Sequence, residues 1–156
     1  MKHALLPIVP LIAAALGNGL AVASETGPVL VAPAEVKWTA GPPSMSPGAQ
    51  MAVISGDLKS PAPFTFRLKL PASYRIAPHT HPAIEHVTVI SGTLYMGPGD
   101  KPDRTKAKAL TPGSLAVFPA GHSMYAWTEG ETVIQVHGVG PWGIEYLDAA
   151  DDPRKP

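Results

Sequence analysis

No cysteine occurs in the 156 residues. Disulfides, thiolate metal sites and a cysteine nucleophile are therefore excluded. Charge is scarce as well. Charged residues make up 15% of the chain and the formal net charge is zero, with no basic run long enough to present a nucleic-acid face. No long helical period of apolar residues and no internal repeat are present. What the chain has instead is turn-formers, 19 prolines and 15 glycines. They fall between short alternating apolar runs, so they punctuate strands and do not mark a disordered chain. One domain suits this length.

The first 23 residues have the pattern of a targeting segment. Lys2 and His3 precede an apolar stretch from Ala4 to Ala23, and Ala21-Val22-Ala23 offers small residues for a signal peptidase. Pro7 and Pro10 argue against a long regular transmembrane helix. The expectation is a cleavable signal peptide over 1–23, cut before Ser24. A periplasmic or secreted protein with no membrane span would result; an uncleaved anchor is the alternative.

The remainder reads as all-β. An N-terminal segment with a first strand is expected over 24–48, a barrel or sandwich over 49–147, and a loose charged tail over 148–156. Phe64, Phe66, Leu68 and Leu70 alternate with Thr65, Arg67 and Lys69, the pattern of a strand with one buried and one wet side. Further strands are expected at 49–55, 74–81, 85–91, 93–96, 114–118, 124–128, 132–139 and 142–147, with an exposed loop over 97–108. Many short strands at this spacing mean a sandwich or a barrel.

The chemistry concentrates in His79-Thr80-His81-Pro82-Ala83-Ile84-Glu85. In a strand, side chains at i and i+2 share a face, so His79 and His81 can aim at one point. Glu85 opens the next run and alternates with Val87 and Val89, which puts it on the apolar face; a carboxylate there needs a partner. Two imidazoles and a carboxylate suit a divalent first-row metal with open positions. Surface histidines on an edge strand are the bland alternative.

These residues resemble the cupin superfamily, in particular small exported single-domain cupins. The first cupin motif, His-x-His-x3-Glu-x6-Gly, fits His79, His81, Glu85 and Gly92. The second, Gly-x5-Pro-x-Gly, fits Gly113, Pro119 and Gly121. The resemblance implies a single jelly-roll β-barrel with a metal bound inside it by the motif His and Glu residues. Three positions depart from the pattern. Ser73 stands where the first motif begins with glycine, Met124 where the second supplies its histidine ligand, and Thr128 where it has asparagine.

The fourth ligand is thus open. His122 lies two residues before Met124 and shares its face if the strand is already regular there, giving a site of His79, His81, Glu85 and His122 for Mn, Fe, Ni or Zn. Met124 is an alternative ligand whose soft thioether favours copper. Met124 is equally a core filler, in which case the site binds metal weakly or is vestigial. Gln135 and His137 are candidate pocket residues, with a hydrogen-bonded structural role the alternative for His137; His86 points away from the site by parity, and Tyr125 and Trp127, on the face opposite to Met124, are packing or rim residues. The resemblance leaves open a metal-dependent oxygenase or isomerase acting on a small molecule, and a non-catalytic protein that captures metal or ligand. A homodimer is expected because sheet edges need covering.

Overall fold

The computed structural model describes residues 27–155. The expected signal peptide over 1–23 lies outside the described residues. Eleven strands are described: β1 (Thr39–Ala40), β2 (Gln50–Ser55), β3 (Pro63–Leu70), β4 (Arg75–Thr80), β5 (Glu85–Ser91), β6 (Leu94–Pro98), β7 (Lys108–Leu110), β8 (Leu115–Phe118), β9 (Met124–Thr128), β10 (Thr132–Val139) and β11 (Glu145–Tyr146). They form two antiparallel sheets, ordered β1-β2-β3-β10-β5-β8 and β11-β4-β9-β6-β7. From β3 to β6, and again from β8 to β11, each successive strand changes sheet. This is a jelly-roll β-barrel, as expected.

The alternation in β3 builds the core. Phe64, Phe66, Leu68 and Leu70 are buried, while Thr65, Arg67 and Lys69 are not. The inner faces of Val87 and Val89 (β5), Ile134 and Val136 (β10), Leu94 and Met96 (β6), and Met124 and Ala126 (β9) meet them in one cluster. Gly92 turns β5 into β6 at φ +75°, and a Cβ there would strike the Glu131 carbonyl oxygen; only glycine fits. Ser73 takes φ +60°. The left-handed turn that glycine gives the motif is thus kept with a serine in its place.

Three expectations are corrected. The stretch over 97–108 is not all loop, since it ends in β7 at the sheet edge. Of the strand expected at 142–147 only β11 forms, and Trp142 is freed to turn inward. The tail is exposed except at Asp152, where it is anchored, so it is not loose throughout. Asp152 is buried, and Arg154 donates to both its carboxylate oxygens (2.8 and 2.9 Å) and to the Ile144 carbonyl (3.1 Å). That clamp ties the tail to the barrel through charge-assisted hydrogen bonds. Among the described residues no helix is long and apolar enough to cross a membrane.

Candidate metal centre

The turn from β4 to β5 carries the chain from one sheet to the other, so His79 and His81 enter the barrel from one wall and Glu85 from the facing wall. All three are buried, at 3%, 3% and 4% exposure. The imidazole rings stand 4.9 Å apart at 81°. His79 Nδ1 lies 2.7 Å from the Ala77 carbonyl oxygen and His81 Nδ1 2.6 Å from that of Gly143. A carbonyl only accepts, so both Nδ1 atoms carry hydrogen and each ring keeps Nε2 as its free donor atom.

His81 Nε2 lies 3.3 Å from Glu85 Oε2, an ion-pair distance. The approach is not aligned for a hydrogen bond, and Nε2 is buried without a hydrogen-bond partner. Glu85 Oε1 accepts from Trp142 Nε1 at 3.3 Å. The indole also stacks on His81 (5.1 Å, 21°) and meets Phe66 edge-on (4.8 Å). The sequence reading missed Trp142 as a site residue. It reaches Glu85 from an irregular segment between Pro141 and Gly143, where no periodicity assigns a side chain to a face.

These residues line a chamber of about 30 Å³ whose other walls include Met45, Met96, Ile134, Val136 and Ile144. That volume accommodates an ion or a water beside the three side chains. Among the described residues no three His, Cys, Asp or Glu side chains are drawn tightly enough together to form a finished metal site. The donor set nevertheless fits a divalent ion. Two tautomer-fixed imidazoles face an ion-sized space beside a carboxylate, and one donor atom there is orphaned.

The structure does not bring the other candidates to this chamber. His122 is exposed, its Nδ1 facing the Ala120 carbonyl at 3.4 Å. The turn ending in Gly121, whose N–H donates to the His81 carbonyl (2.9 Å), runs on until β9 starts at Met124, so strand parity does not reach back to His122. Gln135 and His137 lie on the outer face of β10. Gln135 accepts from Arg67 (3.2 Å), and His137 pairs in register with His86 and stacks on it at 4.9 Å. The alternation of β10 was legible, but its inner face belongs to Ile134 and Val136. Met124 does point inward. It is fully buried and sits opposite His79 across the β4–β9 ladder.

Burial chiefly, and the neighbouring His81, push the His79 pKa down to about 4. Burial acts to lower His81 too, but the Glu85 carboxylate and the Gly143 carbonyl outweigh it and hold His81 above the usual imidazole value. The sign follows for each. An unfolded His79 takes up its proton near pH 6.5 and the folded one only near pH 4. Its contribution is complete above pH 6.5 and is lost as pH falls towards 4, by about 3 kcal/mol at most. The His81–Glu85 contribution runs the other way, present below pH 6.5 and lost as pH rises through the raised pKa. Urea denaturation of the metal-free protein between pH 7.5 and 4 is expected to show a steeper acid loss than the same series on His79→Gln. Parallel pH profiles would contradict the assignment.

The Cupin family model matches residues 64–140, which span both motifs and the barrel strands from β3 to β10. The chain belongs to the cupin superfamily. No curated protein matches it. Among solved structures, this cupin is similar to the polyketide cyclase RemF from Streptomyces resistomycificus, with a TM-score of 0.63 at 14% identity over 80% of this chain and 89% of that one. KdgF from Halomonas sp. gives 0.56 at 18% identity over 74% and 96%. A salicylate 1,2-dioxygenase from Pseudoaminobacter salicylatoxidans, with gentisate adducts, gives 0.56 at 14% identity over 68% of this chain and 31% of that one. At these identities the likeness is one of fold.

Proposed function

We propose that this cupin is exported and holds one divalent metal ion in its barrel through His79, His81 and Glu85, where it binds or acts on a small molecule. The observation that carries the reading is the buried His81 Nε2, which has no aligned hydrogen bond and lies 3.3 Å from the Glu85 carboxylate in an ion-sized chamber. A buried polar atom left without a well-aligned hydrogen bond is costly, and a ligand between the imidazole and the carboxylate would relieve that cost. Ala77 and Gly143 hold the two rings in the tautomer a metal requires, and Trp142 holds Glu85. A bound ion would supply Lewis-acid or redox chemistry to a small molecule. Export is supported by the apolar run closed by Ala21-Val22-Ala23. Small-molecule action is supported by the fold likeness to a polyketide cyclase and to a dioxygenase seen with gentisate adducts.

A copper-capture reading has its own observation. The thioethers of Met45 and Met96 line the same chamber, and Met124 is buried across from His79. Soft sulfur beside imidazole favours copper. Calorimetric titration of metal-stripped protein with Mn²⁺, Fe²⁺, Ni²⁺, Zn²⁺ and Cu⁺ decides between the two. One tight divalent site per chain is the expected result. Tight binding of Cu⁺ alone would favour capture, and no binding of any ion would contradict both.

A further inference from the structure

A cavity of about 610 Å³ lies outside the barrel, roughly twenty times the volume of the interior chamber. Its floor is the outer face of the five-stranded sheet, where Tyr125 and Trp127 alternate with the inward-facing Met124, Ala126 and Thr128. One wall is the loop over 99–107 that follows β6. The other is the turn over 147–151 that follows β11, on the far side of the β4–β9 pair. Both walls are fastened to the sheet. Tyr125 Oη donates to the Asp103 carbonyl (2.6 Å), Ser123 Oγ bonds Asp100, and Leu147 N–H donates to Pro78 (3.0 Å). The opening is therefore pre-formed, with a volume usual for a small-molecule site.

Its charges are unspent and sorted by wall. Arg75 on the floor and Lys101 on the loop wall have no hydrogen bond or ion pair among the described residues, and Arg104 touches only the Trp127 ring, at 4.9 Å. The turn wall supplies Asp148 and Asp151. Asp148 spends one oxygen on the Ala150 N–H (2.9 Å), and Asp151 has no side-chain partner among the described residues. Among the residues lining the cavity Asp100 is the one acid on the cationic side, and Ser123 engages it; Asp103 of the same loop is engaged by Thr105 and Lys106. Trp127 Nε1 adds a buried donor without a partner in the same sheet face.

A simple anion would meet the two turn-wall carboxylates, which repel it. A sugar would lack a stacking platform. Trp127 is packed against Tyr95 (5.1 Å) and under Arg104, and Tyr125 is 1% exposed. We propose that this outer cavity binds a zwitterionic amino acid or short peptide. The ligand's carboxylate lies among Arg75, Lys101 and Arg104, and its ammonium lies at Asp148 and Asp151. The sheet separates this site from the barrel chamber, so it does not depend on the metal reading.

The probes are the dipeptide alanyl-phenylalanine, its N-acetyl form and its C-terminal amide. Each is titrated into the whole protein and followed by calorimetry and tryptophan fluorescence. The unmodified dipeptide should bind. Capping either end should weaken binding on the order of tenfold, as loss of a charged hydrogen-bonding partner does. Arg104→Gln and Asp151→Asn should each weaken the dipeptide similarly, while leaving metal binding and far-UV circular dichroism unchanged because both side chains are exposed. His81→Ala should leave dipeptide binding intact. Equal binding of the N-acetyl form would make this an anion site and overturn the proposal. Failure of the dipeptide to bind, or its loss in His81→Ala, would overturn it too.

Discussion

Replacing His81 with alanine is expected to abolish tight divalent-metal binding. The loss should exceed the roughly 10–100-fold that removal of an outer partner of a metal ligand costs. His81 makes two contributions that no neighbour replaces. Its Nε2 is the orphaned donor atom of the chamber, and its Nδ1 bond to Gly143 at 2.6 Å fixes the ring. The alanine variant also leaves Glu85 buried beside an emptied space, with only the Trp142 N–H to satisfy it, so the carboxylate itself is released from its position. Met124→Leu is the control. It preserves the volume and apolar character of a fully buried side chain, so non-copper binding should stay nearly intact. Calorimetry on the two variants side by side reads both outcomes. Metal lost from Met124→Leu and kept by His81→Ala would mean that the wrong ligand has been chosen.

The second large effect is on stability. Phe66→Ala is expected to destabilise the barrel by about 3–5 kcal/mol, read as a shift in urea midpoint at unchanged slope. Phe66 is fully buried and stacks on Phe64 (5.8 Å) while receiving the edge of Trp142 (4.8 Å). The cavity would therefore open between the core and the side chain that holds Glu85. Metal affinity should fall along with stability in this variant. A loss below about 1 kcal/mol, the size of a surface change, would contradict the packing described.

Much of this fold was legible because its strands alternate. Phe64 to Leu70 declared both face and length. The same parity put His79 and His81 together and turned Glu85 inward while sending His86 out. The motif spacing then named a cupin barrel, and the structure agrees. Parity failed where the backbone was not a strand. His122 was projected onto the face of Met124, but a turn separates it from β9. Trp142 was assigned to a strand that forms only at Glu145–Tyr146, and its contact with Glu85 comes from an irregular segment. For Gln135 and His137 the period was right and the face wrong, because alternation alone does not say which side is inside. That was decided by register, His137 against His86 on the wet side of the sheet. The outer cavity had no sequence signal at all. Its walls come from segments about fifty residues apart, joined by the order of strands.

The ion's place can be read from a crystal structure of the protein soaked with Mn²⁺ or Zn²⁺, with anomalous scattering recorded at the metal edge. A single strong peak is expected inside the barrel, within about 2.0–2.2 Å of the Nε2 atoms of His79 and His81 and of a Glu85 oxygen. A peak only at surface histidines such as His122, or none in the chamber of protein that binds metal in solution, would contradict it.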